Sequence, residues 1–164
     1  WSSDVCSSDL KQFLIITILS IFTTTLAFSQ TQNELSWQNW NDGYTMAKKK
    51  DKILMIDLYT DWCGWCKKMD KDTYTNPEVI KLIDKHFIPV KFNPELKNIQ
   101  YDIEGKKYTG MQLYGMLVQN QRTGYPTTVF LYTKEKKLYL EPGYKNAAQF
   151  NQILNKYINL DPTK

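Results

Sequence analysis

From residue 37 to residue 158 the apolar positions recur at two alternating periods, and each change of period marks a new element. Trp37, Trp40, Tyr44 and Ala47 fall at helical spacing and predict an amphipathic helix over 37–49, with Gly43 tolerated inside it. Residues 53–60 are almost continuously apolar and of strand length, as in a central strand covered on both faces. A helix is expected to open near Cys63. Asn76-Pro77-Glu78 reads as an N-cap with proline at the first helical position, opening a helix that carries Val79, Ile80, Leu82 and Ile83 and ends near His86. The next strand covers 87–92, where Pro89 points to an edge or a bulge.

The pattern then loosens. Residues 93–110 are polar and hold Gly105 and Gly110; residues 101–108 have the look of a small hairpin, and the whole stretch is assigned to an inserted surface loop. Residues 111–118 return to helical spacing, 127–132 and 137–140 read as strands, and Ala147, Phe150, Leu154, Tyr157 and Ile158 mark a closing amphipathic helix. No internal repeat or low-complexity tract is visible.

The first thirty residues follow a different logic. Residues 1–10 (WSSDVCSSDL) repeat Ser-Ser-Asp without an apolar period and read as a sequencing artefact, which removes Cys6 from the chemistry. Residues 11–29 read as a secretory signal: Lys11, the apolar run 13–28, then Ala27-Phe28-Ser29 with small residues where a signal peptidase reads, so cleavage is expected between Ser29 and Gln30. Ser20, Thr23, Thr24 and Thr25 make the run short and polar beside the ~20 apolar residues of a membrane span. The mature form is therefore expected to be periplasmic or secreted, outside the membrane, with 30–164 as a single domain. The chain has 21 basic and 17 acidic residues, a formal net charge of +4. The densest lysine runs, at 48–50 and 134–137, sit beside predicted turns without forming one basic face, which speaks against nucleic acid as a partner.

The candidate chemistry lies in Asp61-Trp62-Cys63-Gly64-Trp65-Cys66-Lys67, directly after the apolar run. A Cys63 thiol at a helix N-terminus meets unpaired backbone N–H groups and the positive end of the helix dipole, both of which favour the thiolate that attacks disulfides. Cys66, one turn on, can attack the resulting mixed disulfide and release the partner. A structural zinc site needs about four ligands, and beyond the pair the chain offers only Cys6 and His86. A c-type haem site needs His directly after the second cysteine, where Lys67 stands. A purely structural disulfide stays open, although so short a loop is a weak staple. No metal and no cofactor is expected.

Strand, CxxC helix, helix, strand, helix, two strands and a closing helix is the order of the thioredoxin fold, and residues 53–67 resemble the active-site strand and helix of that family. Gly124-Tyr125-Pro126-Thr127 resembles the family's turn before its third core strand, where the proline is cis. Residues 56–93, with Asp57, Trp62, the CxxC pair and Asn76-Pro77, are similar to the C-terminal domain of the periplasmic thiol:disulfide interchange transporter and to small exported thioredoxin-like proteins. The resemblance covers about 37–158. It implies an α/β thioredoxin fold, a central mixed sheet flanked by helices with an inserted loop before the third core helix.

The resemblance also implies roles. Cys63 attacks and Cys66 resolves, while Asp57 is a buried acid beneath the pair whose raised pKa lets it take the Cys66 proton. Pro126 stacks beside the pair in the cis form, and the backbone of Tyr125 pairs with an extended substrate. Trp62, Gly64 and Trp65 form the substrate-facing rim, with Trp65 expected to be exposed and Trp62 partly buried. His86 is expected to be a helix-end or surface residue. The Gly-Trp dipeptide between the cysteines departs from the family's Gly-Pro and from the His of strong oxidants, so the pair is expected to be the better reductant. The expected function is an exported thiol:disulfide oxidoreductase that reduces or exchanges disulfides in envelope proteins, supplied with electrons by a membrane donor of the thiol:disulfide interchange type. The alternatives are a disulfide oxidase or isomerase, and a non-enzymatic Cu(I)- or protein-binding module to which Met69 near the pair lends slight support.

Overall fold

The computed structural model describes residues 34–160. Residues 1–10 with Cys6, the expected signal and its cleavage point lie outside them. The described residues belong to one compact unit, and no helix among them is long and apolar enough to cross a membrane.

The elements run α1 (Trp40–Lys50), β1 (Ile53–Leu58), α2 (Gly64–Asp72), α3 (Pro77–His86), β2 (Phe87–Phe92), β3 (Tyr101–Ile103), β4 (Lys106–Tyr108), α4 (Gly110–Leu117), β5 (Thr127–Tyr132), β6 (Lys137–Pro142) and α5 (Ala147–Asn159). The four-stranded sheet has the order β2-β1-β5-β6. β1 runs parallel to β2 and antiparallel to β5, which is antiparallel to β6, so the sheet is mixed. This is the thioredoxin fold expected from the sequence.

β1 is buried along its whole length. Because side chains alternate across a strand, it feeds two cores. Ile53 and Met55 join Met69, Tyr74, Ile83, Phe130 and Phe150 on the side of α2, α3 and α5. Leu54, Ile56 and Leu58 join Trp40, Phe92, Tyr101, Leu113 and Val129 on the side of α1 and α4.

β2 is an edge strand, which accounts for Pro89: its nitrogen has no hydrogen to donate and its outer side needs no full ladder. That outer side is closed by Gln38, whose N–H donates to the Pro89 carbonyl at 2.9 Å and whose carbonyl accepts from the Lys91 N–H at 3.3 Å. The first helix therefore starts at Trp40 and not at residue 37. Gln38 is taken up by the bridge, and Asn39 caps the helix by accepting from the Asp42 N–H at 3.0 Å. Gly43 is required by packing, since a Cβ there would overlap Val90 Cγ2.

The insertion is more than the surface loop that its polarity predicts. β3 and β4 form the hairpin, turning at Glu104 and Gly105 with φ 52° and 84°, the pair of positive values a tight hairpin turn needs. The hairpin lies against α1: Tyr101 is buried on Phe92 with ring centroids 5.0 Å apart, and Trp40 Nε1 donates to the Asp102 carbonyl at 3.0 Å.

Candidate active site

The site forms at the C-terminal end of β1. After Leu58 the chain turns, the Cys63 N–H donates to the Thr60 carbonyl at 3.1 Å, and α2 begins at Gly64 with Cys63 as its N-cap. Cys63 and Cys66 are joined by a disulfide, with Cα atoms 5.3 Å apart, and Cys63 Sγ accepts from the Cys66 N–H at 3.0 Å. The first sulfur therefore sits where the unpaired N–H groups of the helix converge, the position that stabilises a thiolate once the bridge is reduced. Gly64 has open space around it, so its lack of a side chain leaves the approach to the pair clear.

Both cysteines are recessed, 4% and 3% exposed, between Trp62 and Trp65, which are 67% and 59% exposed. Trp65 is exposed as expected; Trp62 is not partly buried. Trp62 precedes the helix and projects from the turn, where its indole N–H donates to Glu95 Oε2 at 3.0 Å and its ring meets Tyr125 edge-on at 5.8 Å. Tyr125 and Pro126 come to the same end of the sheet because Thr127, the first residue of β5, pairs with Leu58. The Tyr125–Pro126 peptide is cis and Pro126 is buried.

Asp57 lies beneath this end on the Met55 side of β1, the face on which α2 packs, and Cys66 is one turn before the core residue Met69 on the buried side of that helix. Asp57 is 1% exposed. The parallel register sets it opposite Lys91, whose Nζ lies 2.7 Å from Asp57 Oδ2 and also pairs with Asp70. Asp57 Oδ1 is buried without a hydrogen bond. Burial raises the Asp57 pKa; Lys91 opposes this without cancelling it, and the nearby Asp70 charge adds to the rise. Burial also works against the charge of Lys91, but Asp57 and Asp70 prevail and its pKa is raised. Rings of Trp37, Tyr59 and Tyr74 surround the ammonium at 4.9, 5.0 and 5.5 Å from their centroids. Chemically, this is a buried carboxyl group with a raised pKa on the same side of the strand as the cysteine helix.

The structure thus brings together Asp57, Trp62, Cys63, Gly64, Trp65, Cys66, Tyr125 and Pro126. His86 ends α3, and Met69 is locked in the core at 1% exposure. The sequence reading missed Lys91, Asp70 and Glu95. Lys91 left one signal, a lone lysine in the apolar run of β2. Among the described residues no group of three or more His, Cys, Asp or Glu could hold a metal ion.

A disulfide at a helix N-terminus, a buried acid below it and a cis proline across from it, on this sheet, define a thioredoxin-fold protein of the disulfide oxidoreductase type. The chain belongs to the Thioredox_DsbH family, described as "Protein of unknown function, DUF255", whose model matches residues 20–159. It is 29% identical over 111 residues to the thiol:disulfide interchange protein DsbD of Pectobacterium atrosepticum, an alignment covering 66% of this chain and 17% of that protein. In fold it is similar to a thioredoxin from Thermus thermophilus, with a TM-score of 0.60 at 19% identity over 79% of this chain and 91% of the other. It is also similar to the oxidised C-terminal domain of DsbD from Neisseria meningitidis, with a TM-score of 0.51 at 21% identity over 70% and 89%.

Proposed function

We propose that the protein is an exported thiol:disulfide oxidoreductase that reduces or exchanges disulfides in envelope proteins. Residues 30–164 would be the working domain and 11–29 a removed leader. The observation that carries the reading is the placement of Cys63 as the N-cap of α2 with Asp57 buried below the same helix. In the reduced protein the Cys63 thiolate attacks one sulfur of a partner disulfide. That bond breaks, a Cys63–partner bond forms, and the other partner sulfur leaves as a thiolate that takes a proton from water. Cys66 passes its proton to Asp57 and attacks Cys63 Sγ. The mixed disulfide breaks, the Cys63–Cys66 bond closes, and the partner has gained two electrons. A dithiol donor must then reduce the pair again, and the kinship with interchange proteins suggests a membrane donor of that kind.

The direction of electron flow follows from what flanks the cysteines. Gly64 and Trp65 offer the Cys63 thiolate no charge and no imidazole. The helix N-terminus alone stabilises the reduced form, so the pair should remain a good reductant. Equilibrating the protein with dithiothreitol or glutathione buffers and following tryptophan fluorescence tests this. A potential near the ~−270 mV of thioredoxin is expected, whereas one near the ~−120 mV of a strong oxidant would assign the protein to disulfide formation.

A further inference from the structure

The two tryptophans beside the disulfide are both exposed, but their surroundings differ in charge. Trp65 leans on Tyr144 with centroids 5.5 Å apart; Lys68 lies 5.5 Å from that same Tyr144 ring but is paired with Asp72, and the exposed Lys67 adjoins Cys66. Trp62 follows the exposed Asp61 and is tied to Glu95, while Tyr125 and, behind it, Tyr114 continue its aromatic surface at 5.8 and 6.0 Å.

Glu95 is held in place. Its N–H donates to Oδ1 of the buried Asn93 at 3.0 Å, and the neighbouring Pro94 carbonyl packs so closely on Gly110 that a Cβ there would overlap it. One carboxylate oxygen accepts from the indole of Trp62, and among the described residues the other makes no hydrogen bond. The Tyr125 hydroxyl stays neutral, because burial, Tyr114 and the Glu95 charge push its pKa up to about 12. A fixed anion with a second carboxylate oxygen to offer attracts a cation through charge, and the apolar stem of a Lys or Arg side chain can lie along the rings of the exposed Trp62 and the half-buried Tyr125 next to it. Because the indole and the carboxylate are already oriented, little freedom is lost when the cation arrives.

We propose that Glu95 is a specificity-determining residue which favours partner proteins carrying Lys or Arg beside the cysteine that Cys63 attacks. The proposal rests on the oxidoreductase reading above. On the other flank the exposed Lys67 repels the same cation, so the two flanks orient the bound segment as well as select it. A rim charge of this kind acts mainly on the rate of encounter and gives it a salt dependence.

The test uses short peptides with one cysteine held in a mixed disulfide with thionitrobenzoate, the neighbouring residue being Lys, Gln or Glu. The Cys63 thiolate of the reduced protein bonds to the peptide sulfur, the peptide–thionitrobenzoate bond breaks, and the coloured thiolate leaves with the electron pair. The Lys peptide is expected to react roughly fivefold faster than the Glu peptide at low salt, with the ratio narrowing as salt is added. E95Q keeps an acceptor for the indole N–H while removing the charge and should bring the ratio close to one; E95K should invert it. Equal rates for the Lys and Glu peptides in the unmodified protein, or an unchanged ratio in E95Q, overturn the proposal. If the Gln peptide releases no more thiolate than it does with the Cys63→Ser variant, the oxidoreductase reading fails and this inference with it.

Discussion

The two faces of β1 are built from alternate residues of one six-residue strand and have opposite characters. On one face Leu54, Ile56 and Leu58 join an apolar and aromatic cluster that includes Trp40, Phe92 and Tyr101, and the inserted hairpin closes that core from outside. On the other, Ile53 and Met55 lead to Asp57, and the apolar core gives way to the ion cluster of Asp57, Lys91 and Asp70. A buried ion pair is seldom the most stable filling for a core, because desolvation offsets much of its attraction. Stability alone therefore does not account for its location under the disulfide, which is what the proposed proton transfer would require. One face holds the strand in place, and the other carries the groups to which the proposed chemistry is assigned.

The comparison breaks if damage to the apolar face alters the redox behaviour. Phe92 is 1% exposed, between Trp40 at 6.1 Å and Tyr101 at 5.0 Å. Phe92→Ala should lower stability by about 3–5 kcal/mol, measured by urea unfolding of the oxidised protein. The pH dependence of that loss should be weak, because the rings Phe92 packs on, those of Trp40 and Tyr101, carry no charge in the acid range. A shift in the reduction potential would show that the two faces are not separable.

The next effect lies on the ionic face. Lys91→Met keeps most of the side-chain volume but leaves Asp57 buried without its counter-charge, and removing one partner of such a pair costs about 3 kcal/mol at neutral pH. Here the loss should depend strongly on pH. Without Lys91 the Asp57 pKa rises further, so the penalty is present where the carboxylate must ionise and fades as the pH falls and it protonates. A loss of equal size at pH 4 and pH 7 would mean that Lys91 acts by packing against Trp37, Tyr59 and Tyr74.

The apolar face was largely legible in the sequence and the ionic one only half so, for a physical reason. Runs such as Thr127–Tyr132 and the cap Asn76-Pro77 are local signals, and the CxxC pair and Tyr125-Pro126 are short motifs whose chemistry lies in the spacing itself. Asp57 could be placed through its distance from Cys63. Lys91 could not be paired with it, because that contact is created by the parallel register of two strands joined through two helices. The start of α1 was misplaced for a related reason: Gln38 leaves the helical pattern to bridge β2, a contact across elements. The partner of the exposed Trp62 likewise comes from another element, Glu95 in the segment that follows β2.

The smallest effect on stability is the most specific to the mechanism. Because the pKa of Asp57 is raised on folding, the folded protein binds more protons than the unfolded chain at pH values from the ordinary carboxylate range, about 4, upward to the raised value. Stability contributed by this group therefore falls as the pH rises through that window. Carboxylates held low by lysine partners, such as Asp72 with Lys68 and Glu104 with Lys48, contribute the opposite slope. They are unaffected by a substitution at Asp57 and cancel when the variant is compared with the parent. Asp57→Asn should thus remove a downward slope from the difference curve of oxidised stability against pH. The same variant should slow release of a trapped mixed disulfide by about 100-fold while leaving the first attack of Cys63 much less affected, since only the second step needs the Cys66 proton removed. If stopped-flow and quenched reactions show both steps slowed alike, Asp57 shapes the site without carrying the proton, and the ionic face loses the role that sets it apart from the apolar one.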